Sequence, residues 1–529
     1  MSERFFNTSG PVRANRHYCL PPLHRLDEEE VLSLISQERY FILHAPRQTG
    51  KTSCLLALRD QLNSAGELAC VYINVEPGQA AREDVDAAMR AIGSQLASRV
   101  QITLGDTFLE ERQREVYATA GEHGVLRQML TVLVQHCDKP IVLLVDEIDA
   151  LVGDTLVAVL RQLRSGYDQR PEAFPQSIIL CGVRDIQDYR IQSPDGRELI
   201  AGGSAFNVSA RSLRLGDFNH ADIAALYQQH TEETGQIWAE GVIELVWELT
   251  QGQPWLVNAL AHETTWEIRP NRDRARAITT EDILTAKENL IVQRVTHLDQ
   301  LAHKLAEPRV RRLIGPMLAG ENIVGEGLQD DISYALDLGL IRRDANGLQI
   351  ANPIYREVIP RELSFVQQLG FESTHQRGWY FRTAGTLDMD ALLAAFQQFF
   401  REHSEHWVER FDYREAGPQL LLQAFLQRII NGGGRVEREY GLGRKRTDLL
   451  IIWPHPGGVQ RIVLELKIRY GKLATVTAEG LTQTWEYVDR TGAQEAHLII
   501  FDQTKRPWRE KLYRKEMGHN GTKIIVWGM

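Results

Sequence analysis

The chain of 529 residues is long enough for three or four domains with full cores, and with 43% hydrophobic and 25% charged residues it has an ordinary globular composition. A formal net charge of −10 excludes a wholly basic nucleic-acid coat protein, and no apolar run approaches the roughly 20 residues that span a bilayer, so a cytoplasmic protein is expected. The five cysteines (Cys19, Cys54, Cys70, Cys137, Cys181) have no zinc-ligand spacing and read as free thiols in a reducing compartment.

Residues 1–38, from Phe5-Phe6-Asn7-Thr8-Ser9-Gly10-Pro11 through Arg16-His17-Tyr18 to Leu20-Pro21-Pro22, are a turn-rich lead-in rather than a domain. The apolar run Tyr40-Phe41-Ile42-Leu43 then stops at the polar turn Ala45-Pro46-Arg47-Gln48-Thr49-Gly50-Lys51-Thr52-Ser53. This predicts a strand, a phosphate loop and a helix whose apolar positions are Leu55, Leu56, Leu58 and Leu62. Backbone N–H groups of such a loop converge on an anion, and the helix N-terminus adds positive potential. Lys51 reaches the outer phosphates and the Thr52 hydroxyl holds Mg²⁺. Ala45 stands where G-x-x-x-x-G-K-[ST] has its first glycine, a change that negative φ accommodates. The lead-in then either stacks His17 or Tyr18 on the base or packs against the core.

A second strand is read at Ala69-Cys70-Val71-Tyr72-Ile73-Asn74-Val75, and helical sequence continues through Val134. The unbroken run Pro140-Ile141-Val142-Leu143-Leu144-Val145-Asp146-Glu147 predicts a strand buried on both faces of a parallel sheet. Ligands of such sheets lie beyond the carboxyl ends of the strands, so Asp146 meets the Mg²⁺ water shell beside Thr52, and Glu147 polarises the attacking water. The next strand, Ser177 to Val183, ends in Arg184, a candidate contact to the γ-phosphate. Ser212-Leu213-Arg214-Leu215 closes the core, which spans 39–216. Helical periodicity covers 217–295, with Ile223, Leu226, Tyr227, Val242, Ile243, Val246 and Trp247 facing a core. Residues 296–363 combine short helices with a hairpin at Leu340–Ile350, the pattern of a winged helix, which either binds DNA or packs as a structural module.

The phosphate loop, Asp146-Glu147, the strand ending in Arg184, and Gly252-Gln253-Pro254 resemble the signal-transducing ATPases called STAND proteins, within the AAA-like P-loop group. That resemblance covers roughly residues 1–360. It implies ATP and Mg²⁺ as cofactors, and a lid in which Pro254 of the Gly-x-Pro element touches the adenine.

Patterning loosens at 364–378, and 379–529 is long enough for another domain. Two apolar strands, Arg446–Trp453 and Gln460–Ile468, flank the turn Pro454-His455-Pro456-Gly457-Gly458. A hairpin symmetric about Pro456 and Gly457 sets Asp448 opposite Glu465, and period two puts Lys467 on the same face. Like carboxylates gathered on apolar strands repel unless a cation lies between them, so Asp448 and Glu465 are candidate ligands of a divalent metal. These residues resemble the PD-(D/E)xK nuclease superfamily. The resemblance implies that the two acids hold Mg²⁺, that Lys467 positions the nucleophile or neutralises charge, and that Gln483 and Tyr487 form the Q-x-x-x-Y helix of the RecB-like branch. An upstream helix, Pro418–Ile430, is expected to add a polar residue, with Glu415, Gln419 and Gln423 as candidates. From Arg435 to Met529 there are 17 Lys+Arg and 11 Asp+Glu, about +6, so this end suits a polyanion, with Arg444-Lys445-Arg446 and Lys505-Arg506-Pro507-Trp508-Arg509 as phosphate contacts.

The expected architecture is α/β: a P-loop NTPase parallel sheet with helical lid and winged helix, then a restriction-endonuclease-like domain. The expected function is an ATPase that gates or positions Mg²⁺-dependent cleavage of nucleic acid, with DNA as substrate. By resemblance, this pairing fits mobile-element biology or defence against foreign DNA, with a protein or phage-derived trigger. The alternative is a nucleotide-switched protein whose C-terminal domain binds nucleic acid or protein without cutting. A single phosphate loop disfavours a DNA-translocating motor but leaves a homo-oligomeric ring open.

Overall fold

The computed structural model describes residues 4–184, 190–192, 199–201, 209–292, 304–305, 307–318, 328–344, 347–358, 380–382, 385–410, 422, 425–426, 435–439, 448–469, 471–502, 504 and 506–529. The chain divides into two units, one of Met1–Gln293 with Ile332–Arg342 and Ala351–Pro353, the other of Arg294–Asp331 with Arg343–Ile350 and Ile354–Met529. The stretch 296–363 is thereby shared between them.

In the first unit, β1 (Phe5–Phe6) and β2 (His17–Tyr18) pair in parallel, followed by α1 (Glu28–Ser36). Then come β3 (Tyr40–His44), the phosphate loop, α2 (Lys51–Ala65), β4 (Ala69–Asn74) and three helices, α3 (Val85–Leu104), α4 (Phe108–Ala120) and α5 (Val125–His136). β5 (Ile141–Asp146), α6 (Gly153–Ser165) and β6 (Ser177–Gly182) follow. A small antiparallel pair, β7 (Arg190–Gln192) and β8 (Leu199–Ala201), precedes β9 (Ser209–Arg214). The main sheet is parallel, in the order β4-β5-β6-β3-β9. Alternation explains why β5 is an unbroken apolar run. Ile141, Leu143 and Val145 face the core built with α3 to α6, whereas Val142 and Leu144 face the core of α1 and α2. Each such aliphatic side chain, fully buried, stabilises the fold by about 1.5–3 kcal/mol. The order also makes β5, β6 and β3 the three central strands and brings their carboxyl ends side by side, which gathers the loop, Asp146 and Gly182.

A helical segment follows, with α7 (His220–Thr234), α8 (Val242–Thr250), α9 (Pro254–His262) and α10 (Thr280–Val292). Asn219 and Asp222 form a reciprocal capping box that starts α7, and Ile223, Leu226 and Tyr227 are buried beneath it. Tyr18 is also buried here, against Phe6 and His230, and its hydroxyl meets His230 Nδ1 at 3.3 Å. Of the two readings of the lead-in, core packing is what Tyr18 does, while His17 is buried with its ring edge-on to Phe5.

Along the chain, α11 (Pro308–Leu318), α12 (Gln329–Asp337) and the paired strands β10 (Ile341–Asp344) and β11 (Gly347–Ile350) come next. In the second unit α13 (Met389–Arg410) precedes a six-stranded sheet. Its strands are β12 (Arg435–Glu439), β13 (Asp448–His455), β14 (Gly458–Arg469), β15 (Glu495–Asp502), β16 (Tyr513–His519) and β17 (Thr522–Gly528), with α14 (Leu473–Thr491) crossing between β14 and β15. The order is β12-β13-β14-β15-β17-β16, with an antiparallel meander through β14 and parallel pairing of β14 with β15. Ile462, Leu464 and Leu466 pack on the α13 side with Leu392 and Phe396, whereas Val463 packs on the α14 side with Leu481 and Tyr487. Period two therefore turns Glu465 and Lys467 toward α14.

Candidate functional site

The loop after β3 is built to present N–H groups. Gln48 and Gly50 take left-handed φ values of 59° and 90°, which turn successive amides toward one concavity, while Ala45 is fully buried and absent from the residues with positive φ. Thr49 Oγ1 donates to Pro46 O at 2.8 Å, and Lys51 Nζ donates to Ala45 O at 2.9 Å and Pro46 O at 3.0 Å. The ammonium is thus held over the loop by the carbonyls that bound it. Ser53 Oγ accepts from Val12 N at 3.1 Å, which fastens the lead-in to the start of α2. A Cβ on Gly50 would meet Arg25 Nη2 at 2.9 Å.

Asp146 is fully buried and held by three donors. Its Oδ2 accepts from Thr52 Oγ1 at 2.7 Å and Tyr72 Oη at 2.9 Å, and its Oδ1 accepts from Glu147 N at 3.0 Å. Burial and the adjoining Asp146 carboxylate push the Tyr72 phenol up, so it stays a donor. Tyr72 was missed in sequence because V-Y-I reads as strand core. Tyr72→Phe is expected to weaken the apparent Mg²⁺ affinity of ATP hydrolysis about tenfold or more, with metal-free nucleotide binding unchanged, as read by Mg²⁺ titration of the rate.

Glu147 has a left-handed φ of 58°, a strained conformation at the turn that carries the second carboxylate. Burial, and then Asp149, push its carboxyl above the usual glutamate range, against the pull of Lys51 and Arg47. That direction suits a base working near neutrality. Asp149 Oδ1 accepts from Val183 N at 3.0 Å and so fixes the end of β6 that carries Arg184, whose guanidinium lies 5.1 Å from the Tyr334 ring centroid. The segment Ile332–Arg342, which no loop motif announces, also lies here. Gly339 abuts Pro46, Arg214 Nη2 donates to Leu336 O at 3.3 Å, and His44 Nδ1 is 3.8 Å from Asp337 Oδ1.

Between α8 and α9, Gly252 has φ +79°, its carbonyl accepts from Phe218 N at 2.9 Å, and Pro254 occupies the first turn of α9. Gln253 caps that helix by accepting from Leu256 N at 2.6 Å, and Trp255 Nε1 donates to Thr8 O at 2.8 Å. The loop, Thr52, Asp146 and Glu147 therefore fit a nucleotide with Mg²⁺. N–H groups and Lys51 suit the phosphates, Thr52 and Asp146 suit the metal's shell, and Glu147 suits the water. The metal would supply charge neutralisation at the phosphates.

In the second unit the register makes Asp448 the Cα partner of Glu465, around the two-residue turn Pro456-Gly457. Glu465 is fully buried, and Lys467 Nζ lies 2.6 Å from its Oε1. On α14, Tyr487 is 2% exposed within the core, with the Arg490 guanidinium 5.4 Å from its ring centroid. Gln483 lies one helical turn earlier, with Oε1 buried and without a hydrogen-bond partner among the described residues. Glu415, Gln419 and Gln423 lie outside the described residues, as do Arg444-Lys445-Arg446 and Lys505. Among the described residues, no three His, Cys, Asp or Glu side chains gather as a metal-holding group, and no helix is long and apolar enough to cross a membrane.

Residues 34–189 match the family model described as AAA domain. No curated protein matches the chain. Solved structures similar to it include a Walker-type ATPase of Pyrococcus abyssi, 17% identical, covering 67% of this chain and 99% of that one with a TM-score of 0.42. Cdc6p from Pyrobaculum aerophilum is 16% identical over 65% of this chain and 96% of its own, TM-score 0.35. The Thermotoga maritima RuvB Holliday junction branch migration motor is 12% identical over 63% and 95%, TM-score 0.31. Residues 34–189 thus form an AAA-type P-loop ATPase domain that works with ATP and Mg²⁺.

Proposed function

We propose that the chain couples this ATPase to a Mg²⁺-dependent nuclease in its C-terminal unit, cutting DNA when the nucleotide state permits. The observation that carries the proposal is the register that pairs Asp448 with Glu465, with Lys467 two residues on along β14. The surrounding order supports it: an antiparallel meander, a helix carrying Gln483 and Tyr487, and a parallel strand form the α/β framework on which two acids and a lysine can hold a metal and a scissile phosphate. In the nucleotide site, Lys51 binds the phosphates, Thr52 and Asp146 hold the metal's water shell, Glu147 takes the proton of the attacking water, and Arg184 registers the γ-phosphate. The winged-helix-like stretch 296–363 serves as a structural module, and defence against foreign DNA is the biology this pairing suits.

A second reading has its own observation. Lys467 already neutralises Glu465 at 2.6 Å, as in a domain that binds nucleic acid or protein without a metal. Cleavage assays on single- and double-stranded DNA and RNA, with Mg²⁺ or Mn²⁺ and with or without ATP, decide between the two. Cleavage that Asp448→Ala and Glu465→Ala abolish and Lys51→Ala alters is the expected result. Binding without cleavage under every condition, with ATP hydrolysis intact, sinks the nuclease.

A further inference from the structure

We propose that Gln253 reads the base of the bound nucleotide by donating its side-chain amide to N1 of adenine, so that the lid selects ATP over GTP. This rests on the reading in which the Gly252-Gln253-Pro254 turn lies at the base.

Gln253 is 7% exposed, and its Nε2 is buried without a hydrogen-bond partner among the described residues. A buried amide donor left unpaired is costly, so its retention at a helix start points to an acceptor beyond the described residues, which a bound nucleotide would supply. The amide cannot satisfy itself by flipping. Its Oε1 is committed to the backbone N–H of Leu256 at 2.6 Å, and that donor accepts no substitute from an NH₂ group. The unpaired end is therefore a donor by necessity.

The turn is also in the right place. A nucleotide whose phosphates lie along residues 49–52 leaves the loop at its nucleoside end beside Ser53. Ser53 is tied to Val12, and the same lead-in reaches Trp255 through Thr8. From the other side, Arg25 lies against Gly50 and stacks its guanidinium 5.0 Å from the Phe218 ring centroid, and Phe218 is bonded to Gly252. Both routes from the start of α2 end on the residues flanking Gln253.

The chemistry then discriminates. Where adenine presents N1 as an acceptor, guanine presents N1–H, a donor that would face the amide donor, and its acceptor O6 sits at the neighbouring position, where adenine has its amino group. A site built to hydrogen-bond one partner rejects the mismatched one because its buried polar group stays unpaired.

The test compares ATP, GTP and 1-deaza-ATP, in which N1 is replaced by C–H, on the full chain. Wild type should bind 1-deaza-ATP about tenfold to a hundredfold more weakly than ATP. Gln253→Glu keeps the helix-capping oxygen and replaces the donor by an acceptor, so it should weaken ATP and improve GTP. The ratio of their Kd values should move by about a hundredfold. Equal binding of ATP and 1-deaza-ATP by wild type overturns the proposal, as does a Gln253→Glu variant with the wild-type ATP:GTP ratio. The first of these needs no variant to fold. Lys51→Ala separates the failures: loss of all nucleotide binding in that variant upholds the phosphate site even when base selection by Gln253 is overturned.

Discussion

Gly252→Ala will lower the unfolding temperature of the ATPase unit by about 5–15 °C, and Gly66→Ala will lower it far less. Both glycines hold left-handed φ, +79° and +82°, and both therefore carry the conformational penalty of about 1–2 kcal/mol when a Cβ is added. Their surroundings differ. A Cβ on Gly66 meets nothing within 4 Å, whereas one on Gly252 overlaps the Phe218 carbonyl oxygen and lies 3.0 Å from Trp247 Cζ3. The overlap is with backbone, and that backbone is held by the Phe218 N–H bond to Gly252 O, so relief requires parting the α7 entry from the α8–α9 turn. Overpacking of this kind adds about 1–3 kcal/mol, and a unit of this size loses roughly 2–4 °C per kcal/mol. With more than one folding unit in the chain, calorimetry that resolves separate transitions is the proper measurement. Equal shifts in the two variants would assign the whole effect to φ and remove the case for a backbone clash at the α8–α9 turn.

How much of this was legible in the sequence depends on whether a residue's role follows from its neighbours in the chain. β3, β5 and β6 were readable because strands buried on both faces must be apolar without interruption, and the acids that break the run fall where the sheet ends. The pairing of Asp448 with Glu465 was readable because a two-residue turn fixes register, and register fixes every partner along the hairpin. β9 begins at Ser209, three residues before the apolar signal, since Ser-Ala-Arg-Ser-Leu-Arg gives no periodic run and gains its place by pairing with β3. β12, with the sequence Arg-Val-Glu-Arg-Glu, is an edge strand whose identity comes from β13 rather than from its own composition. Tyr72 hid for a different reason. A tyrosine in an apolar strand looks like core, and only the sheet order, which sets β4 beside β5, reveals that its hydroxyl ends on Asp146. The approach of Ile332–Arg342 to the phosphate loop is likewise a tertiary fact, carried by Gly339 fitting against Pro46.

Glu147→Gln should leave ATP bound and nearly stop its hydrolysis, by about 10²–10⁴-fold, because the amide keeps the shape of the side chain but cannot accept a proton. The left-handed backbone at this position is unaffected, since glutamine places the same Cβ as glutamate, so the loss belongs to the carboxylate and not to strain. Wild-type hydrolysis should fall on acidification along a limb centred above the ordinary glutamate range, because burial and Asp149 raise this carboxyl, and the residual rate of the variant should lack that limb. Stability should move the opposite way. A carboxyl raised in the folded state contributes stability that is fully present below its unfolded value and is lost as pH rises through its folded value. The amide that replaces the carboxyl has no charge to lose, so the variant should be the more thermostable protein at neutral pH, and the gap should close on acidification through the same window. Rate and stability thus report the same carboxyl with opposite signs. A variant that hydrolyses ATP at the wild-type rate would move the base to another residue, and one that loses activity without gaining stability would mean that Glu147 acts by holding structure rather than by taking a proton.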